Sequence, residues 1–85
     1  MKSFSYTIKD ETGIHARPAG FISKIAKDSE SEIVIEKDGK RVNATKLMML
    51  MGLGVKCGDM VNVEVSGKDE DEAFEKIKAF FEENL

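Results

Sequence analysis

The chain has one cysteine, one histidine, one proline and no tryptophan among its 85 residues. Each scarcity removes a class of protein. Cys57 has no partner for an internal disulfide, and a single unpaired thiol fits a reducing, cytoplasmic setting. One histidine and one cysteine are too few for a His/Cys zinc site, and neither metal nor other cofactor is expected. No apolar run approaches the roughly 18–20 residues that span a bilayer. The start of the chain, Met1 to Tyr6, lacks the apolar stretch of a secretory signal. Positive charge is also short. The net charge of −3 argues against general nucleic-acid binding, which needs clustered cations. No P-loop, dinucleotide-binding glycine motif or metal-ligand spacing occurs.

What is present is the material for one small domain over residues 1–85, with a single core. Residues 2–8 alternate, with Phe4, Tyr6 and Ile8 on one face, which predicts a half-buried strand. Residues 16–27 place Pro18, Ala19, Ile22, Ile25 and Ala26 on one helical stripe, leaving Arg17, Phe21 and Lys24 on the other side. Pro18 is tolerated there because first-turn N–H groups have no helical partner. Residues 32–37 and 40–44 predict two strands about Asp38-Gly39, a type I′ hairpin signal. Residues 46–52 form a short helical candidate with Thr45 as N-cap and Gly52 and Gly54 ending it. Residues 60–66 alternate with Val61, Val63 and Val65 inward. Asp69 and Glu72 have the spacing of a capping box. The helix that follows, 70–83, is expected to bury Ala73, Phe74, Ile77, Phe80 and Phe81, and its acidic residues read as a solvated face.

The order β-α-β-β-α-β-α, with one hairpin and strands polar on one face, predicts an α+β open-faced sandwich. A mostly antiparallel sheet would be covered on its apolar face by the helices.

The chemistry-bearing segment is Thr12-Gly13-Ile14-His15-Ala16-Arg17-Pro18-Ala19. It reads as a tight turn opening into a helix. A helix start offers unpaired N–H groups and the positive end of the dipole, which together attract phosphate. The amides of Ala16 and Arg17 are the candidates, since Pro18 has none. The Arg17 guanidinium adds charge-assisted hydrogen bonds to phosphate oxygens, and Gly13 permits a tight turn and close approach. A nucleophilic imidazole in such a place suits transient phosphorylation of His15.

A second feature is Leu47-Met48-Met49-Leu50-Met51, which points all round a helix too short to bury every side. Some of Leu47, Met48 and Met51 are therefore expected on the surface, as an adaptable docking patch. Phe21 stands at the edge of the Arg17/Lys24 face. Cys57 reads as a surface thiol in a loop, and Asp10 and Glu11 as solvated loop carboxylates.

The segment from Gly13 to Ala19 resembles the active-site signature of the HPr family, histidine-containing phosphocarriers of the phosphoenolpyruvate-dependent sugar phosphotransferase system. The resemblance continues through Gly39 to Asn43, Met48 and Met51, and Leu53 to Val55. It implies four antiparallel strands with three helices on one face. It also implies a relay in the cytoplasm rather than stand-alone catalysis. Enzyme I passes a phosphoryl group to Nδ1 of His15, Arg17 steadies it, and the IIA component of a sugar transporter receives it. Leu47, Met48 and Met51 would dock both partners, bordered by Phe21, Lys24 and Lys27, and the carrier would be a monomer. Where some members carry a regulatory serine this chain has Lys46, which cannot be phosphorylated, and Met49 replaces a common glycine. A regulatory HPr-like binding module not committed to sugar uptake is the alternative.

Overall fold

Strand alternation and helical stripes translate directly into layers. The computed structural model describes residues 1–85. Its elements are β1 (Lys2–Thr7), α1 (Ala16–Asp28), β2 (Ser31–Lys37), β3 (Lys40–Asn43), α2 (Leu47–Gly52), β4 (Met60–Gly67) and α3 (Glu70–Asn84). The four strands form one antiparallel sheet in the order β1-β4-β2-β3. Val63 lies opposite Phe4 on one side and Ile35 on the other; Val65 lies opposite Lys2 and Ile33. The inward positions Ile33, Ile35, Val61, Val63 and Val65 are essentially free of solvent.

The helices supply the other half of the core through Ala19, Ile22 and Ala26 of α1, Leu50 of α2, and Ala73, Ile77 and Phe81 of α3. Aromatic edges close one end, where Phe81 meets Phe4 and Tyr6 with ring centroids 5.7 and 5.6 Å apart. The opposite face of the sheet is polar. Arg41 reaches across it to both carboxylate oxygens of Glu64 and to Glu36. The Glu64 hydrogen bonds hold Arg41 above its ordinary value, and Arg41 holds Glu64 below the usual carboxylate value. The open-faced sandwich read from the sequence is the fold observed.

The β2–β3 turn has positive φ at both Asp38 (51°) and Gly39 (84°), the type I′ signature. Of the two expected helix caps, Thr45 is displaced and Asp69 keeps its position but turns its side chain elsewhere. Thr45 is not the cap of α2, because its N–H and hydroxyl both donate to Asn43 Oδ1 (2.9 and 2.7 Å). Lys46 takes the cap position instead, without a side-chain bond, while the helix ends at Gly52 as expected, with Gly54 at φ 65° just beyond it. Asp69 holds the cap position of α3, but no capping box forms with Glu72. Its carboxylate accepts the Glu30 N–H (3.0 Å) and the Ser31 hydroxyl, tying the α1–β2 corner to the start of α3. A long-range acceptor role outcompetes the local one because the Glu30 amide has no ladder partner. Ile25, Phe74 and Phe80 are half-buried at the rim rather than in the core, while Ser23 takes a buried place on α1 and donates to the Thr45 carbonyl (3.2 Å).

The Ser31 and Glu30 hydrogen bonds draw the Asp69 carboxyl below its usual value. A depressed folded value contributes stability above the unfolded value and loses it as pH falls through the folded one. Asp69→Ala is therefore expected to lower the thermal midpoint at pH 7. That deficit is expected to shrink steadily below about pH 4, as followed by circular dichroism across a pH series.

Candidate functional site

His15 is fixed from both sides by main-chain geometry. Upstream, Gly13 has φ 69°, and a Cβ there would lie 2.2 Å from the Val55 carbonyl oxygen and 2.8 Å from Lys56 Cα. No side chain fits. The Ile14 N–H donates to that Val55 carbonyl (3.1 Å), and the Ile14 side chain is buried. Downstream, the His15 carbonyl accepts the Ala19 N–H (2.9 Å), which begins α1. His15 is thus the N-cap residue in extended conformation (φ −100°, ψ −170°), and its side chain does not cap the helix. The ring, half-exposed, projects from a rigid mount without being spent on it.

The Ala16 and Arg17 amides, in the first turn of α1, have no acceptor in the protein, and Pro18 brings none. Arg17 is exposed and enters none of the ion pairs of the molecule. A half-exposed imidazole, two unclaimed amides and an unpaired guanidinium therefore share one helix start. Groups of that kind at a helix start are suited to an anion of phosphate size through charge-assisted hydrogen bonding.

An open depression of about 540 Å³ adjoins His15, lined by Asp10, Arg17, Pro18, Phe21, Phe80 and Asn84. Sequence reasoning had not placed Asp10, Phe80 or Asn84 here. Asp10 closes its own turn by accepting the Thr12 N–H (3.0 Å), and Phe80 stacks at a tilt on Phe21 with centroids 5.9 Å apart. The signal for Phe80 was available: consecutive residues on a helix point 100° apart, so Phe80 and Phe81 cannot both face the core.

The predicted border residues lie on the exposed side of α1. Phe21 and Lys24 are solvent-facing, with Lys24 paired to Asp28 (3.3 Å), and Lys27 is exposed in the last turn. On α2, Met48 is 77 % exposed, Met49 57 % and Leu47 37 %, while Leu50 is fully buried. Met51 packs against the core and shows only part of its surface. The apolar surface thus exists, with Met49 carrying much of the exposure assigned to Met51. Lys46 is exposed beside it. Cys57 lies in a loop with an exposed thiol, and no three His, Cys, Asp or Glu side chains converge as metal ligands. No helix is long and apolar enough to cross a membrane.

Replacing Gly13 with alanine forces a Cβ into the Val55 carbonyl and demands positive φ of a non-glycine residue. Gly13→Ala is expected to cost at least about 2 kcal/mol in urea unfolding.

The family pattern described as "PTS HPr component phosphorylation site" matches residues 2–83. The HPr-like protein Crh of Bacillus subtilis (strain 168) is 41% identical over 78 residues, 92% of each chain. The phosphocarrier protein HPr of Mycoplasma genitalium is 39% identical over 85 residues, 99% of this chain and 97% of that one. Among solved structures, HPr-C-His from Thermoanaerobacter tengcongensis superposes with a TM-score of 0.90 at 41% identity, covering 96% of this chain and 92% of that one. The crystal structure of Bacillus subtilis Crh, described as a dimer with a swapping domain, superposes with a TM-score of 0.77 at 40% identity, covering 94% and 92%. With its fold, its histidine at a helix start and a family match spanning nearly its full length, the chain belongs to the HPr family of phosphocarrier proteins of the phosphotransferase system.

Proposed function

We propose that this chain relays a phosphoryl group on His15, taking it from phosphorylated enzyme I and passing it to the IIA component of a sugar transporter in the cytoplasm. One observation carries the reading: the His15 imidazole stands at the α1 start beside two amides without acceptors and an unpaired Arg17. In the first transfer a bond from phosphorus to Nδ1 of His15 forms as the bond from phosphorus to the donor breaks; in the second, the bond to the acceptor forms as the bond to His15 breaks. The Ala16 and Arg17 amides and the Arg17 guanidinium share the phosphoryl oxygens while His15 holds the group. The protein carries the group rather than catalysing a reaction of its own.

Both partners need His15, so both use one face. Leu47, Met48 and the exposed part of Met51 give that face its apolar centre, and Phe21, Lys24 and Lys27 border it. The cations favour acidic partners and set encounter rates more than final affinity. The docking face has to be free, and we read the carrier as a monomer; a sedimentation experiment giving a dimer of the kind described for Crh would contradict this.

Crh is as near in identity as HPr of Mycoplasma genitalium, 41% against 39%, and this supports a second reading as a regulatory HPr-like module. A module that only binds has no use for an unspent imidazole paired with a free guanidinium. Lys46 also removes the hydroxyl that regulatory phosphorylation of the family's serine requires, and the neighbouring Thr45 hydroxyl is engaged with Asn43.

Incubation with phosphoenolpyruvate and cognate enzyme I is expected to add one acid-labile phosphate, read by intact-mass spectrometry; His15→Ala should add none. Arg17→Ala is expected to slow transfer roughly 100-fold, the scale for losing one donor to a developing charge. A second arm separates docking from chemistry. Met48→Asp is expected to raise the apparent KM for enzyme I about tenfold, leaving the maximal rate within a factor of about two. Absence of phosphate on the wild-type chain would favour the regulatory reading.

A further inference from the structure

Alternation carries β2 inward at Ser31, Ile33 and Ile35, and the next position on that face is Lys37. A lysine at the end of a core-facing row must carry its ammonium past the apolar layer to an acceptor. Lys37 does this at the edge of the segment 54–59. Its Nζ donates to the Gly54 carbonyl (2.9 Å) and pairs with Asp59 Oδ2 (2.9 Å). The Lys37 side chain is only 19 % exposed, so this pair is shielded more than the other ion pairs on the surface.

Asp59 is engaged on the other side as well. The same Oδ2 accepts the Lys56 N–H (2.8 Å), and the Asp59 N–H donates back to the Lys56 carbonyl (3.0 Å). The Lys37 hydrogen bond and the Lys56 amide hold the Asp59 carboxyl below its usual value. Three points of the segment are thereby pinned: Gly54, Lys56 and Asp59. Between them lies Val55, whose carbonyl receives the Ile14 N–H and meets Gly13, immediately before His15.

We propose that Lys37 and Asp59 are positioning residues for His15, setting the Val55 carbonyl that fixes the turn from which the imidazole projects. The proposal rests on the relay read at His15. Neither residue touches the phosphoryl group. They act through Val55 and Ile14, and they lie outside the docking surface formed by α1 and α2.

The test uses the full chain with three variants. Lys37→Met keeps the stem and removes both donor functions. Asp59→Asn keeps an oxygen for the Lys56 amide and removes the charge. Lys37→Arg retains charge and donors. In Lys37→Met and Asp59→Asn, amide exchange at Ile14 is expected to accelerate about tenfold or more while the β4 amides of Val61, Val63 and Val65 keep wild-type protection. The maximal rate of phosphoryl acceptance from enzyme I should fall roughly tenfold, with KM within about twofold, and Lys37→Arg should restore both readouts. Wild-type exchange at Ile14 in Lys37→Met overturns the proposal. So does a loss of protection shared with β4, which would mark general destabilisation, and so does an unchanged transfer rate in a chain that does relay. A wild-type chain that accepts no phosphate defeats the relay reading instead, and the Ile14 exchange measurement then decides the positioning on its own.

Discussion

The site depends on one steric contact: the backbone at Gly13 lying against the carbonyl of Val55. With no Cβ at 13, two loops distant in sequence come within van der Waals range, and the Ile14 N–H meets an acceptor already fixed in place. Everything chemical follows from that approach. It buries Ile14 as an anchor, turns the chain so that α1 begins at His15, and leaves the imidazole outside the hydrogen bonding that holds its own backbone. A side chain engaged in holding the turn would not be free for the relay proposed for it. At His15 the backbone gives the support and the side chain is left free of it.

Much of this was legible in the residues. Alternation at 2–8 and 60–66, the Asp-Gly turn and the helical stripes of 16–27 and 70–83 reported the layers, because burial on one face writes a period into the sequence. The His15-Ala16-Arg17-Pro18 run reported the site for a related reason: a helix start constrains which residue types can stand there. What escaped was settled by long-range partners. Asp69 and Thr45 have the right chemistry for local caps, yet Glu30 and Ser31 claim one and Asn43 the other, and neither competitor is marked by spacing. The contribution of Asn84 to the depression beside His15 was hidden likewise, since it depends on how the end of α3 lies over α1.

The short helix α2 shows how a small domain obtains a sticky surface without losing its fold. Six residues supply one fully buried anchor, Leu50, and one partial anchor, Met51. The remaining apolar side chains have nowhere to go but outward. Exposing methionine rather than a branched or aromatic residue keeps that surface adaptable, since an unbranched thioether repacks against differently shaped partners. On the proposed docking face this apolar surface joins the exposed cations Lys24, Lys27 and Lys46.

The order β1-β4-β2-β3 leaves β3 as an outer strand of only four residues, two of them Lys40 and Arg41. An open sheet edge invites another chain to add a strand, and brevity and cationic side chains are the two commonest ways of refusing it. The blunt, charged margin at β3 lets the chain be crowded with copies of itself while its sheet stays unextended there.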